Sequence, residues 1–309
     1  MRWLAEPTEP ALRAALLEAA PELADLPVAL RAVPDGQEPT WWSSSAVLGE
    51  EFVAKFAWSR PAARRIGHEG AVLTALAGSG VPFLPAIVVA TTNPALVVTR
   101  RVSGSSLFEV IDSIDRDRAG EQLARFLVAL HRPATRERVA RAAGELHQPY
   151  VQADTAAIRA RIGRWIRADQ LDRVSRWCDW VDAVQAEPAP TVLVHGDLHG
   201  DNQVWRHDEL RVVVDFETVG AAEPEFDLRG VPGTGPGVEL LVAIMRHYAQ
   251  LSGRELSAER VMAWHLRTAL GDVLWRGEAG LHLPDRRGPE QWIEDLDARF
   301  TALGIEIRT

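Results

Sequence analysis

Apolar positions along this 309-residue chain change period several times, dividing it into a strand-rich first third and a helix-rich remainder. Residues 8–20 open with Thr8 as a cap and keep helical spacing until Pro21. Residues 28–33, 41–48 and 51–58 read as strands separated by turn formers. Helical spacing returns over 60–77 through Ile66, Val72, Leu73 and Leu76, and Gly78-Ser79-Gly80 ends it. Apolar runs at 86–90 and 95–99 complete a mostly antiparallel small lobe. From Gly104 onward, residues 107–111, 117–131, 153–165, 171–186, 239–251 and 258–275 carry helical periodicity. Two β-branched runs, Val192 to Val194 and Val212 to Val214, interrupt them, the second preceded by the turn formers His207-Asp208-Glu209. The pattern predicts an α+β protein without internal repeats.

Between the two valine runs lies His195-Gly196-Asp197-Leu198-His199-Gly200-Asp201-Asn202, and Asp215 follows the second run. Transfer of a terminal phosphoryl group needs a carboxylate that orients and deprotonates an attacking hydroxyl, and divalent metal to neutralise the phosphates. Asp197 supplies the first. Asn202 and Asp215 offer oxygen ligands suited to a hard cation such as Mg²⁺, and the flanking strands bring the three together.

Composition adds a separate clue. Of 34 basic side chains, 33 are arginine and one is lysine, Lys55, within a strand-like run. Lysine is a compact point charge suited to phosphate oxygens, and Glu69 in the following helix is placed to pair with it. The formal charge of −9, with no basic stripe, argues against nucleic-acid binding. One cysteine, Cys178, excludes an internal disulfide and suggests a reducing compartment. The first residues lack the apolar core of a signal peptide, and the most apolar windows, 81–98 and 238–245, are broken by proline or too short for a bilayer. A cytoplasmic protein that engages neither nucleic acid nor membrane is the expectation.

Taken in order, Lys55, Glu69, a hinge near Thr99 to Ser103, the loop with His195, Asp197 and Asn202, then Asp215 and Glu223-Pro224-Glu225-Phe226-Asp227 resemble the aminoglycoside phosphotransferase family over nearly the whole chain. That resemblance implies a two-lobed, protein-kinase-like fold. Residues 1–102 would form a nucleotide-binding lobe with an antiparallel sheet and helix, and residues 103–309 a larger, mainly helical catalytic and acceptor-binding lobe. It implies Asp197 as the catalytic base, Asn202 and Asp215 as Mg²⁺ ligands, Lys55 as the phosphate contact with Glu69 as its partner, and His195 and Asp227 as braces of the loop. ATP or GTP would lie between the lobes against the hinge, which includes Arg100. Two departures stand out: the phosphate-covering segment 34–45 has one glycine and ends in Ser43, Ser44 and Ser45, whose hydroxyls can still donate to phosphate; and Asp201 stands where the family usually has glycine.

The implied reaction is phosphorylation of a hydroxyl on a small polar, amine-bearing acceptor, with an aminoglycoside or other antibiotic as the leading class. Metabolic kinases of amino sugars, amino alcohols or amino acids carry the same loop, and the sequence does not separate them. Glu217 and Glu223 could present negative charge to a cationic acceptor, and Trp264, Asp272 and Trp275 lie where the family builds much of its acceptor pocket. Helix packing explains these residues equally, and Trp165, Trp177 and Trp180 read as core. A metal hydrolase built on His195, Asp197, His199 and Asp201 would leave Asn202 and Lys55 unexplained. A nucleotide-binding regulator without turnover would not need the full set of Lys55, Asp197, Asn202 and Asp215. Only eleven residues separate Asp215 from Asp227, too few for the segment that positions a polypeptide acceptor in protein kinases.

Overall fold

The computed structural model describes residues 1–31, 43–235 and 237–307. The first lobe holds β1 (Val28–Leu30), β2 (Ser44–Leu48), β3 (Phe52–Phe56), β4 (Ile87–Thr92) and β5 (Ala95–Arg100) in one antiparallel sheet, ordered β1-β2-β3-β5-β4. Helix α1 (Glu9–Ala19) buries Leu12 and Leu16 against one face, among Ala46, Leu48, Ala54, Phe56, Leu96 and Val98. Alternation along β3 sends Phe52, Ala54 and Phe56 toward that core and leaves Lys55 on the opposite face. Helix α2 (Arg60–Leu76) covers the second face, so central β5 is apolar on both sides, with Ala95 and Val97 packing toward α2. Part of the strands expected at 28–33 and 41–48, and most of segment 34–45, lies outside the described residues.

The Ser59 hydroxyl caps α2 by accepting from the Ala62 N–H at 3.2 Å. The buried stripe of this helix runs Ile66, Glu69, Leu73, Leu76, at helical spacing. A carboxylate is thereby carried inward on an apolar face, which sets up the site described below.

Residues 101–104 lead into the second lobe. There β6 (Ser105–Ser106), β8 (Gln203–Arg206) and β9 (Glu209–Val213) form a sheet ordered β6-β8-β9, and β7 (Val192–Val194) pairs with β10 (Gly220–Ala222). The β8–β9 hairpin turns on His207 and Asp208, both at positive φ (50° and 58°), a two-residue turn that matches strand twist. Around these strands lie α3 (Leu107–Val110), α4 (Arg116–Leu130), α5 (Pro133–Ala143), α6 (Thr155–Arg161), α7 (Leu171–Ala186), α8 (Glu239–Ser252), α9 (Ala258–Glu278) and α10 (Pro289–Ala302). Helices α4 and α8 enclose one core containing Leu123, Phe126, Leu127, Phe216 and Ile244. Helices α6, α7, α9 and α10 enclose a second with Ile158, Trp177, Met262, Leu266, Ile293 and Phe300, against which Trp165 and Trp180 also pack.

Helices α5 and α10 have no counterpart in the sequence reading. In α5 only Thr135 and Val139 are buried, which leaves almost no apolar stripe to read. The expected helix 153–165 is broken, passing from α6 to a 3₁₀ turn at Ile162–Arg164. Among the described residues no helix is long and apolar enough to cross a membrane.

Candidate active site

The loop between β7 and β8 is anchored before it is functional. Asp227 is fully buried and accepts from the backbone N–H of His195 (2.9 Å) and Gly196 (2.8 Å), with His131 Nε2 at 3.2 Å. Burial disfavours its charge, but His131, His195 and the Gly196 N–H outweigh burial and hold the carboxyl below its ordinary value. Gly196 sits at φ +83°, and a Cβ there would collide with the Thr218 carbonyl oxygen and come within 2.9 Å of Pro149 Cγ, so no other residue fits. The buried His195 ring lies edge-on to Phe216, with centroids 4.6 Å apart. Its Nε2–H donates to the Val214 carbonyl (3.1 Å) and its Nδ1 accepts from the Asp197 N–H (3.3 Å), a tautomer assigned from those partners. Burial also lowers the His195 pKa, against the pull of Asp227, Asp197 and Asp215, which suits a neutral ring.

This frame presents Asp197, Asn202 and Asp215 together. Asn202 Nδ2 donates to the Asp197 carbonyl (2.8 Å) and lies 3.3 Å from Asp197 Oδ2, so its amide oxygen takes no part in these two contacts. The Val214 N–H donates to the Asn202 carbonyl at 2.9 Å, tying the two ligand-bearing segments through backbone. Asp215 adopts φ 70°, ψ 64°, a left-handed conformation that a non-glycine residue holds only when its surroundings enforce it. From the first lobe, Lys55 Nζ reaches Asp215 Oδ1 at 2.8 Å, Glu69 at 3.0 and 3.1 Å, and Glu217 at 3.6 Å. The Phe216 N–H also donates to Glu69 (3.1 Å), so α2 is bonded to both lobes.

Burial works against the Lys55 charge, but Asp215, Glu69 and Glu217 keep the ammonium protonated far above its ordinary range. Burial and the neighbouring carboxylates push Glu69 up, opposed by Lys55. Three carboxylates share one ammonium, and oxygens of Glu69, Asp215 and Glu217 all lie within 4.8 Å of one another. That cluster already holds the ammonium, while Asn202 and Asp215, joined through the Val214 N–H to Asn202 carbonyl bond, offer the hard oxygen donors that fit a divalent cation.

Asp197 opens onto a cavity of about 860 Å³ between the loop, α9 and α10, a size suited to a small organic molecule. Two neighbours that the sequence reading did not assign lie against Asp197. Arg229, almost buried, donates to the Gly196 carbonyl (2.6 Å), stacks over Phe226 at 4.2 Å and lies 3.6 Å from Asp197 Oδ1. His199 Nε2 is 3.5 Å from Asp197 Oδ2. Burial opposes ionisation of Asp197, but His199, Arg229 and His195 hold it below its ordinary value. Arg229 is only two residues beyond Asp227, and that adjacency was the one signal for it.

Several expected contacts lie elsewhere. Ser44 is buried with Ala46 and Leu48 on the sheet face opposite Lys55; Ser45 is the cross-strand partner of Lys55, and Ser43 donates to Glu217. Arg100 pairs with Phe52, on the α1 face; its guanidinium is exposed, stacks over the Phe52 ring and reaches Glu51, away from the cluster. Glu217, expected at the acceptor, belongs instead to the Lys55 cluster and binds Arg65 at 3.1 Å. Glu223 and Trp264 are buried and bond to each other, with Arg260 also on Glu223, so their polar groups are spent inside the lobe. Asp272 and Trp275 do line the cavity.

Residues 29–259 match the model of the phosphotransferase enzyme family. The chain belongs to that family. It is 28% identical over 211 residues to viomycin phosphotransferase of Streptomyces vinaceus, covering 64% of this chain and 72% of the relative. Its fold resembles aminoglycoside 2'-phosphotransferase-IIIa in a GDP complex, with TM-score 0.69, 15% identity and coverage of 94% of this chain and 98% of that one. A macrolide 2'-phosphotransferase from Brachybacterium faecium gives TM-score 0.61, 20% identity and coverage of 93% and 98%. The family member described here is therefore a phosphotransferase, and its fold is the two-lobed, protein-kinase-like one.

Proposed function

We propose that this phosphotransferase moves the terminal phosphoryl group of ATP or GTP to a hydroxyl of a small polar antibiotic held in the cavity beside Asp197. The observation that supports this reading is that Asp197 lines that cavity and is bonded through Asn202 (3.3 Å) to the segment that ends at Asp215, which pairs with Lys55. Antibiotics are the preferred acceptor class because the relatives named above act on viomycin, aminoglycosides and macrolides.

The acceptor hydroxyl would donate to an Asp197 oxygen, and the carboxylate takes its proton as the oxygen attacks phosphorus. The low pKa of Asp197 keeps it ionised at neutral pH, and proton uptake is coupled to bond formation rather than preceding it. Lys55, fixed by Glu69, would hold the phosphates from above. Asn202 and Asp215 would hold Mg²⁺, which when bound neutralises charge on the transferring group. Arg229 holds the loop through the Gly196 carbonyl and keeps a positive charge beside the base.

A coupled assay of ADP or GDP release, run with Mg²⁺ against peptide, aminoglycoside and macrolide antibiotics and amino alcohols, tests the reading. Acceptor-dependent release should fall by roughly 10²–10⁴-fold in Asp197→Asn while nucleotide binding survives. A variant that turns over at the wild-type rate would refute the assignment of the base.

A further inference from the structure

The cavity next to Asp197 carries a charge pattern that bears on its ligand. Five carboxylates and four arginines line it, and the arginines are distributed so that they neutralise the acids. Arg287 bridges Asp285 (2.8 Å) and Asp295 (2.5 Å) on the outer wall, where Arg299 also approaches Asp295 at 3.6 Å. On α9, Arg276 is 3.6 Å from Asp272, and at the loop Arg229 is 3.6 Å from Asp197. Among the described residues, Asp201 is the one carboxylate of this wall without an arginine in ion-pair range. His265 adds no charge: burial and Arg299 push it down to about 3, and its neutral ring bridges the Arg229 carbonyl (2.7 Å) and Arg299 Nη1 (3.1 Å).

One buried polar atom of the cavity wall, Thr268 Oγ1, has no hydrogen-bond partner among the described residues, whereas Arg276 Nε faces Asp272 at 3.6 Å. The Thr268 hydroxyl can donate, so it suits an acceptor atom on the ligand. Phe108 and Trp275, 44% and 40% exposed, supply flat apolar surface at the same wall. Phe108 lies against Gly200, where a Cβ would come within 2.8 Å of the ring, so a larger residue in the loop would displace it.

We propose that the acceptor is a ring-bearing molecule of low net charge, with one ammonium group at most and with carboxylate, carbonyl or hydroxyl groups that accept hydrogen bonds, rather than a polyamine. This rests on the reading of the cavity as the acceptor site. A polyamine would have to draw carboxylates away from their arginines, leaving those arginines unpaired in a partly desolvated wall, and removing one member of such a pair is costly. A single ammonium finds Asp201 without displacing any arginine. Hydrogen-bond acceptors find Thr268.

Calorimetric binding to wild-type protein, loaded with Mg²⁺ and a non-hydrolysable nucleoside triphosphate, tests this independently of turnover. The panel is a graded set of hydroxyl-bearing ring compounds: neutral, single-amine, zwitterionic, and with three to five amines. Neutral to singly charged compounds should bind at least about tenfold tighter than the polyamines, with affinity changing by less than about threefold between roughly 50 and 300 mM salt. Arg287→Gln and Arg276→Gln leave Asp285 and Asp272 without an arginine and should raise polyamine affinity by about tenfold, the scale of one added ion pair in a partly buried site. Wild-type preference for polyamines, with steep loss of affinity in salt, would overturn the proposal. Binding that follows the charge rule without any phosphoryl transfer would uphold it and count instead against the proposed reaction.

Discussion

Replacing Asp227 by asparagine is the most demanding test of how the catalytic loop is built. The native carboxylate receives two backbone N–H groups and His131 with no solvent exposure. Asparagine keeps one acceptor oxygen, but its NH₂ group must then face either the His195 or the Gly196 N–H, or turn toward His131. At least one charge-assisted hydrogen bond is lost and one buried donor is left unpaired, together costing about 3–5 kcal/mol. For a chain of this size that corresponds to a fall in Tm on the order of 10 °C. Thermal and urea unfolding measure it. The folded-state pKa of Asp227 is depressed, so its contribution is present above the ordinary aspartate range and is lost as pH falls through the folded value. The gap between variant and wild type should therefore narrow in acid. A cost below about 1 kcal/mol at neutral pH, the worth of an ordinary neutral hydrogen bond, would show that Asp227 is not the anchor.

Amine-directed acylation should modify Lys55 and the chain's N-terminus alone, since the sequence has no other lysine, and Mg-nucleotide should protect Lys55; equal labelling with and without nucleotide would remove its phosphate role. Arg229→Met takes away a cation that favours ionised Asp197, so the acid limb of the kcat profile should move to higher pH. An unmoved limb would leave Arg229 with packing alone. Cys178 is buried and its thiol is pushed up to about 11 by burial, so a thiol reagent at pH 8 should leave the native protein unlabelled and react only after unfolding.

The residues that were legible in the sequence are those whose chemistry is set by short-range spacing. Asp197 and Asn202 lie on one loop and Asp215 just beyond the hairpin that follows it, and the valine runs on either side of the loop announced both. Lys55 stood out because arginine fills every other basic position. Sheet-face assignments were harder, because a one-residue difference in position reverses a side chain: Ser44 and Arg100 lie on the face of the sheet opposite Lys55. Glu223 and Trp264 were read as ligand-facing because acid and aromatic side chains serve a pocket and a core equally, and only the fold shows that they bond to each other. The arginine-neutralised wall spans α9, the segment before α10 and α10 itself, a long-range juxtaposition that no local period encodes.

The salt bridges of Lys55 bear on how a nucleotide would enter. Its ammonium is already engaged by carboxylates from both lobes, and Glu217 extends the same junction to Arg65 and Ser43. If Lys55 contacts phosphate as proposed, an incoming triphosphate would enter as a competitor for Asp215 and Glu217, side chains that mimic its own negative charge. Observed affinity is then the difference between two anionic occupants of one position. Substitutions at Asp215 or Glu217 would change that difference from the internal side, and Glu217→Gln would weaken the resident competitor while leaving Lys55 in place.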